Sequence, residues 1–176
     1  QYGGYVYGQL FRTTDAWQTQ TTISNNIPGT PQGAWITPFE IDPVTPATIY
    51  AGYDKVYKST NKGNSWTAIS PTLTTRKLNT LQVAPSNTQH IYAANWDTLF
   101  SSTNGGGNWY ADPVALSNAF ITGIAINPNN DNNIWISLSG YASGQKVIVS
   151  YDGGLSFSNY SGSLPNLPIN CIIYEN

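Results

Sequence analysis

Short runs of β-branched and aromatic residues, separated by turn-forming residues, recur along this chain. One cycle comprises residues 35–42, 48–52, 55–58 and 65–69, and Pro, Gly, Asn and Asp lie between the runs. Runs of this length and composition are typical of β-strands. No stretch has the periodicity of a helix of useful length. The pattern therefore predicts four antiparallel strands per cycle.

The same order of runs returns twice. Residues 78–84 end before Pro85 and residues 121–127 end before Pro128, as residues 39–42 end before Pro43. The second run, Thr48 to Gly52, has counterparts in residues 90–94 and 133–137. A repeat of roughly 40–50 residues that holds four strands is typical of the blades of a β-propeller. The fold class predicted is all-β, with blades of four antiparallel strands.

The link between the third and fourth strands carries the clearest repeat, which we call the repeated turn. It consists of Ser, then Asn or Asp two residues later, then Gly, then a large aromatic residue. Its three full copies are Ser59, Asn61, Gly63 and Trp66; Ser102, Asn104, Gly106 and Trp109; and Ser150, Asp152, Gly154 and Phe157. The glycine suits a positive φ, the two polar side chains suit hydrogen bonds within the turn, and the aromatic ring suits packing between blades.

An incomplete copy near the N-terminus begins at Thr13-Thr14-Asp15. It lacks the glycine, and its aromatic residue, Trp17, arrives early. The sequence therefore predicts a shortened turn at this place.

The spacing of the copies sets the register of the blades. Residues 1–26 are expected to be the last three strands of a partial blade. Whole blades are predicted for 33–71, 77–113 and 119–161, and the first strand of a further or closing blade for 168–176. A partial ring exposes a strand edge and apolar faces. We therefore expect the rest of a longer parent chain, or a second copy, to cover them; the rival is a four-bladed ring closed by Ile169 to Tyr174.

The three copies resemble Asp-boxes, also called bacterial neuraminidase repeats, of the form Ser-x-Asp-x-Gly-x-Thr-Trp. Two of the three have Asn in place of Asp. Families with such boxes include sialidases, tandem-propeller xyloglucanases, sortilin-type receptors and photosystem assembly factors, and the resemblance implies a propeller fold without choosing a function. The Asn- and Thr-rich style also resembles secreted or surface proteins of Bacteroidetes that use type IX secretion.

Composition narrows the choice of function. Only 9% of the residues are charged and the net charge is −2, so no basic field suits nucleic acid or a membrane surface. Asn and Thr, 19 of each, supply much of the polarity. Such a neutral surface favours a secreted or cell-surface protein. The chain starts at Gln1 and has no methionine, so we expect a processed product or a piece of something longer.

The acidic and basic residues do not form a recognisable catalytic set. A sialidase-type site, as the resemblance implies, needs three arginines, and the chain has only Arg12 and Arg76. A glycosidase that uses two carboxylates needs them to face each other across a sugar. The candidate acids are spread over different blades: Asp42, Asp54, Asp97, Asp112 and Asp131. We expect no catalytic pair within this chain.

Six residues are candidates for contact with a ligand because they lie near predicted loop ends: Tyr53, Asp54, Trp96, Asp97, Tyr110 and Tyr141. Exposed aromatic rings beside amide groups suit stacking on sugars, which favours glycan binding. The alternative is that the rings pack between blades and the two acids cap turns.

Three further residues or segments have structural interpretations. His90 lacks a metal-ligand partner at a typical spacing and is expected to be a solvated residue at a strand end. Cys171, which has apolar neighbours, is expected to be buried. The run Asn127–Asn133 is interpreted as a turn and not as a calcium site. We expect no metal and no cofactor.

The function predicted is a non-enzymatic propeller scaffold, secreted or on the cell surface, whose loops bind glycan or protein. The alternative is a segment of a larger glycoside hydrolase, sialidase-like or xyloglucanase-like, whose catalytic residues lie outside this chain. The length of the natural protein distinguishes the two, because only a longer parent has room for a catalytic half.

Overall fold

The computed structural model describes residues 1–114 and 119–175, which form four antiparallel sheets. The first sheet has three strands: β1 (Tyr2–Tyr5), β2 (Gln9–Arg12) and β3 (Thr21–Thr22). The second has β4 (Phe39–Ile41), β5 (Ile49–Gly52), β6 (Val56–Ser59) and β7 (Thr67–Ala68). The third has β8 (Thr80–Val83), β9 (Ile91–Ala94), β10 (Thr98–Ser102) and β11 (Tyr110–Pro113). The fourth has β12 (Ala119–Asn127), β13 (Asn130–Gly140), β14 (Val147–Ser150) and β15 (Ser158–Asn159).

Within each sheet the strands lie side by side in chain order. The predicted all-β fold, with three whole blades and part of another, is confirmed. Short 3₁₀ turns at Val6–Gly8 and Ser24–Asn26 are the helical elements of the described residues. The segment Asn127–Asn133 contains a turn at residues 128–129. Asn127 ends β12, and residues 130–133 belong to β13.

The sheets are stacked face to face because their central strands are apolar on both sides. In β5 all four residues are buried. Ile49 and Ala51 join the apolar cluster shared with the first sheet, whereas Tyr50 joins the cluster shared with the third. A third cluster fills the space between the third and fourth sheets. Alternation along one strand thus serves two interfaces, as expected for a strand covered on both faces.

Because neighbouring strands are antiparallel, successive links lie alternately on the two sides of each sheet where its strands begin and end. Each of these two sides is called an edge. We call the first the loop edge; it holds residues 6–8, 53–55, 95–97 and 141–146 and the connections between sheets. We call the opposite one the turn edge; it holds the repeated turns at 60–66, 103–109 and 151–157 and the links at 42–48, 84–90 and 128–129. A ligand that approaches the sheets therefore meets one of these two sets of links or an outer face of the first or fourth sheet.

The repeated turn is held by its own serine. The buried Oγ of Ser59 accepts the backbone N–H of Gly63 at 2.8 Å and donates to Oδ1 of Asn61 at 3.0 Å. Asn61 Oδ1 in turn accepts the backbone N–H of Ser65 at 2.9 Å. The copies that begin at Ser102 and Ser150 repeat these bonds. The turn therefore satisfies the backbone N–H groups of Gly63 and Ser65 internally, while the N–H of Lys62 donates to the oxygen of Ala47 in the neighbouring link.

Each repeated turn also closes against the preceding sheet. Gly63 has φ +84°, and a Cβ placed on it would lie 2.8 Å from Cβ of Ile23, next to β3. The indole N–H of Trp66 donates to the backbone oxygen of Ile23 at 3.0 Å. Gly106 and Trp109 make the equivalent approach to Ile69, next to β7. A side chain in place of either glycine would separate neighbouring sheets.

The prediction of a shortened turn near the N-terminus is wrong. Thr13 Oγ1 accepts the backbone N–H of Trp17 at 3.0 Å, and Asp15 accepts the backbone N–H of Thr19 at 2.9 Å, so the turn has its full length. Trp17 takes the glycine's place with φ +71°. Its ring lies over Gly3, where a Cβ would be 2.7 Å from the indole. The bond pattern survives because it depends on Thr13 and Asp15.

Residues 168–175, predicted to be a first strand, form no strand. Ile169 nevertheless donates its N–H to the oxygen of Leu138 at 3.2 Å, much as Leu78 donates to the second sheet and Ile121 to the third. The segment thus starts where a first strand starts, but among the described residues no second strand pairs with it. It does not pair with β1 either, so these residues do not close a four-bladed ring.

The prediction that Cys171 is buried is also wrong, because the thiol is exposed. Ile172 packs on Gly123 of the fourth sheet, and the ring of Tyr174 contacts Trp135 at 5.4 Å between centroids. Neighbouring side chains such as Cys171 then lie away from that sheet, and no other sheet covers them within the described residues.

Candidate functional site

The loop edge presents a pair of exposed aromatic rings between the third and fourth sheets. Trp96, in the link between β9 and β10, meets Phe120 of β12 edge to face, with centroids 5.3 Å apart. Both rings remain nearly half exposed, at 45% and 46%. The backbone fixes their separation, because Ile121 donates its N–H to the oxygen of Trp96 at 2.8 Å. The pair is therefore a preformed, partly exposed apolar platform on the loop edge.

A second pair lies on the same edge between the first and second sheets. Tyr7 and Trp35 meet edge to face at 5.2 Å, and Trp35 is 62% exposed. The backbone again joins the two segments, since Gly33 donates to the oxygen of Tyr7 at 3.0 Å. Sequence reasoning missed this pair. The signal was available, because Tyr7 falls in the same type of link as Trp96.

The structure separates the six sequence-predicted residues. Trp96, Asp97 and Tyr141 lie exposed on the loop edge. Tyr110 is exposed too, but it begins β11 and therefore lies at the turn edge. Tyr53 is fully buried, and its hydroxyl donates to the oxygen of Gly8 at 2.6 Å. The prediction that Tyr53 faces a ligand is wrong, because its ring packs between the first two sheets.

The two candidate acids on the loop edge have different surroundings. Asp97 forms an exposed ion pair with Arg76, with 3.6 Å between Oδ2 and the guanidinium nitrogen, and accepts the hydroxyl of Thr98 at 2.9 Å. Asp54 is partly buried, and its Oδ1 has no hydrogen-bond partner among the described residues. Hydrogen bonds from a ligand hydroxyl to Asp54 would satisfy that oxygen.

At the turn edge, His90 is not the solvated residue that the sequence predicted. Its side chain is buried, and Nδ1 lies 3.3 Å from Oδ2 of Asp131. The ring stacks on Tyr92, with centroids 4.3 Å apart. Burial lowers the pKa of His90, and the hydrogen bond to Asp131 opposes that shift only in part. Burial therefore favours the neutral form of the imidazole.

Three further carboxyl groups have shifted pKa values. Hydrogen bonds from Thr19 and Thr13 lower the pKa of Asp15 to about 2. Burial on β4 raises the pKa of Glu40 to about 7. Hydrogen bonds from Ser156 and Ser150 lower the pKa of Asp152, in a repeated turn, to about 2. Glu40 lies in the middle of β4, whereas Asp15 and Asp152 lie in links at the turn edge, so none of the three belongs to the links of the loop edge.

In the part of the chain that the structure describes, three or more His, Cys, Asp or Glu residues never gather into a set that could hold a metal ion. The same residues contain no helix long and apolar enough to cross a membrane.

Solved structures with a similar fold are propellers. The GH74 xyloglucanase from Xanthomonas campestris has a TM-score of 0.70 over 94% of this chain and 29% of its own, with 16% sequence identity. The GH74 enzyme from Niastella koreensis has a TM-score of 0.63 over 90% and 27%, with 22% identity. YCF48 from Cyanidioschyzon merolae has a TM-score of 0.57 over 86% and 50%, with 15% identity. The chain thus spans less than a third of either GH74 enzyme.

No protein-family model and no curated protein matches the chain. At the identities of the solved structures, the likeness establishes the fold alone. The chain has the fold of a β-propeller segment, similar to part of a xyloglucanase.

Proposed function

We propose that this segment of a β-propeller belongs to a secreted or cell-surface protein and binds glycan chains along its loop edge. The observation that carries the proposal is the pair Trp96 and Phe120, held on the loop edge with nearly half of each ring exposed. The C–H groups of a sugar ring pack well on the face of an aromatic ring, because that face carries negative charge. The polar groups beside the rings supply hydrogen bonds.

The surroundings of the pair support a neutral ligand. Asp97 is the nearest charged residue in sequence, and Arg76 already neutralises it. The pair Tyr7 and Trp35 repeats the arrangement two sheets away, which suits an extended chain better than a single small molecule. A glycan polymer offers several sugar rings along one line.

The alternative is that the chain is part of a larger glycoside hydrolase whose catalytic residues lie elsewhere. The observation that favours it is the likeness to GH74 enzymes, of which the chain spans less than a third. In that case the aromatic pairs bind substrate for a catalytic half.

Under either function, we propose that further chain or a second copy covers the exposed faces of the first and fourth sheets.

Binding of neutral oligosaccharides, measured by calorimetry with xyloglucan and cello-oligosaccharides, tests the proposal. Trp96→Ala should weaken binding at least about tenfold, or about 1.4 kcal/mol. Tyr151→Ala is the matched control, since Tyr151 is similarly exposed but lies at the turn edge. Affinity that is unchanged in Trp96→Ala, or lost equally in both variants, would refute binding at the loop edge. Hydrolysis of these sugars by the natural parent protein would favour the alternative.

A further inference from the structure

A cavity of about 300 Å³ opens at the turn edge between the third and fourth sheets. Its size is at the lower end of the range for small-molecule sites. It lies on the opposite side of the molecule from the aromatic pair Trp96 and Phe120. Its lining comes from both sheets: His90, Ser101, Thr103, Tyr110, Asn132, Asp152, Gly153 and Leu155.

His90 is the most unusual residue of the lining. Its side chain is 2% exposed, and its Nε2 has no hydrogen-bond partner among the described residues. Its other ring nitrogen, Nδ1, faces Oδ2 of Asp131, which also accepts the side-chain amide of Asn87 at 2.8 Å. The hydroxyl of Tyr92 donates to the backbone oxygen of Asp131 at 2.8 Å and so fixes the residue that orients the imidazole.

This arrangement fixes the proton on the imidazole. A neutral ring carries one N–H, and the carboxylate of Asp131 favours that proton on Nδ1. Nε2 is then an acceptor. A buried acceptor without a partner is unfavourable compared with one that is hydrogen-bonded. A bound group with an O–H or N–H donor would satisfy it.

The other residues of the lining determine which class of hydrogen-bonding ligand the cavity favours. The hydroxyls of Ser101, Thr103 and Tyr110 and the amide of Asn132 are neutral hydrogen-bonding groups. Asp152 adds a carboxylate, and neither Lys nor Arg is among the described residues of the lining, so an anion is disfavoured. A metal ion is disfavoured as well, because the described residues contain no cluster of three typical ligands.

A glycine keeps the space beside the imidazole open. Gly153 has φ +78°, and a Cβ on it would lie 3.7 Å from Cε1 of His90 and 3.1 Å from Oδ1 of Asn132. Cε1 is the ring carbon between the two nitrogens. The imidazole therefore borders, through Cε1, the glycine that lines the cavity.

We propose that this cavity binds a single neutral polyhydroxylated ring, such as a monosaccharide unit, with one hydroxyl donating to Nε2 of His90. The neutral hydroxyl and amide groups of the lining bind its remaining hydroxyls. The site is separate from the proposed glycan surface of the loop edge and does not depend on it.

His90 makes a direct test possible because it is the only histidine of the chain. In protein labelled with ¹⁵N-histidine, the two ring nitrogens give unambiguous NMR signals. D-glucose should shift the Nε2 signal in a saturable way and leave the proton on Nδ1. D-glucuronate has the same ring with a carboxylate at C6, and it should bind at least about tenfold more weakly because of Asp152. Trp96→Ala should leave the glucose titration unchanged.

Two variants separate the proposal from its rivals. Asn132→Ala changes an exposed side chain of the lining and should weaken glucose binding severalfold with the fold intact. Asn129→Ala, at an exposed asparagine of the turn between β12 and β13 that is outside the lining, should leave glucose binding unchanged. The proposal is overturned if glucose leaves Nε2 unshifted, if glucuronate binds as well as glucose, or if Zn²⁺ and not glucose moves the signal. Loss of oligosaccharide binding in Trp96→Ala with a normal glucose titration would show that the two sites are distinct.

Discussion

Replacement of Gly63 by alanine tests whether the repeated turn holds neighbouring sheets together by close packing. Gly63 has φ +84°, and a Cβ on it would lie 2.8 Å from both Cβ and Cδ1 of Ile23. Gly29 has a nearly equal φ of +77°, and nothing lies within 4 Å of the Cβ position there. The two substitutions are therefore chemically identical and alike in backbone conformation, and they differ in their surroundings.

The expected loss of stability has two parts. An alanine held at positive φ costs about 1–2 kcal/mol in the free energy of unfolding, and both variants incur this cost. In Gly63→Ala the first sheet must also move, because Cβ of Ile23 is fixed to the backbone. Overpacking of this kind costs about 1–3 kcal/mol. We expect Gly29→Ala to lose about 1–2 kcal/mol and Gly63→Ala about 2–5 kcal/mol.

Urea unfolding followed by tryptophan fluorescence measures both variants against the unchanged chain. The midpoints should fall in the order unchanged chain, Gly29→Ala and Gly63→Ala, with equal dependence on urea. Equal losses in the two variants would show that the backbone conformation is the whole effect. The interpretation of Gly63 as a contact between sheets would then be wrong.

Two further predictions use the same unfolding assay. Ser150→Ala removes the buried acceptor of the Gly154 N–H and should cost about 1–3 kcal/mol, whereas Ser156→Ala, at an exposed site of the same turn, should cost less; equal effects would contradict the role of the buried hydroxyl. Burial raises the pKa of Glu40 to about 7 from its ordinary value of 4.5, so the folded state binds more protons between these values and stability falls as the pH rises through them. Glu40→Gln should remove that fall and stabilise the chain above pH 7 by about 2–3 kcal/mol, and an unchanged pH profile would contradict the burial of a neutral carboxyl group.

The strands were predictable because the local pattern and the tertiary environment agree. Residues 48–52 and 90–94 are mainly apolar runs bounded by turn residues, and β5 and β9 occupy most of each run. Strands covered on both faces have this composition. Because the four runs recur in the same order, the repeat also predicted which strands share a sheet, and no contact between distant residues was needed for that.

The side-chain environments at the ends of strands were not predictable in the same way. Tyr53 and Trp96 both follow a second strand, yet Tyr53 is buried and Trp96 is exposed. The difference arises because the hydroxyl of Tyr53 reaches Gly8 in a neighbouring sheet. Such a partner is distant in the sequence, and no local pattern reveals it.

The candidate site at the turn edge was missed for a similar reason. His90 looked like a solvated residue at a strand end, and Asp131 looked like a turn residue. Their contact depends on the stacking of the third sheet on the fourth, which brings together residues 41 positions apart. The repeat predicts that sheets stack, but it does not predict which polar residues meet at an interface.

The N-terminal copy of the repeated turn shows the limit of a motif based on residue types. The polar residues Thr13 and Asp15 fix the hydrogen bonds, and these were present in the sequence. The missing glycine predicted a shortened turn, but Trp17 adopts a positive φ in its place. A glycine is required where a preceding sheet approaches, as it does at Gly63.

Each repeated turn packs on the sheet that precedes it in the chain, so these contacts between blades all have the same direction along the chain. Trp66 is bonded to Ile23 and Trp109 to Ile69, always from a later residue to an earlier sheet. During synthesis from the N-terminus, each new blade therefore finds its docking surface already made. Removal of the last blade would leave the earlier turns seated, whereas removal of the first would deprive the next turn of its support. A blade added at the C-terminal end would therefore meet a preceding sheet that is already complete.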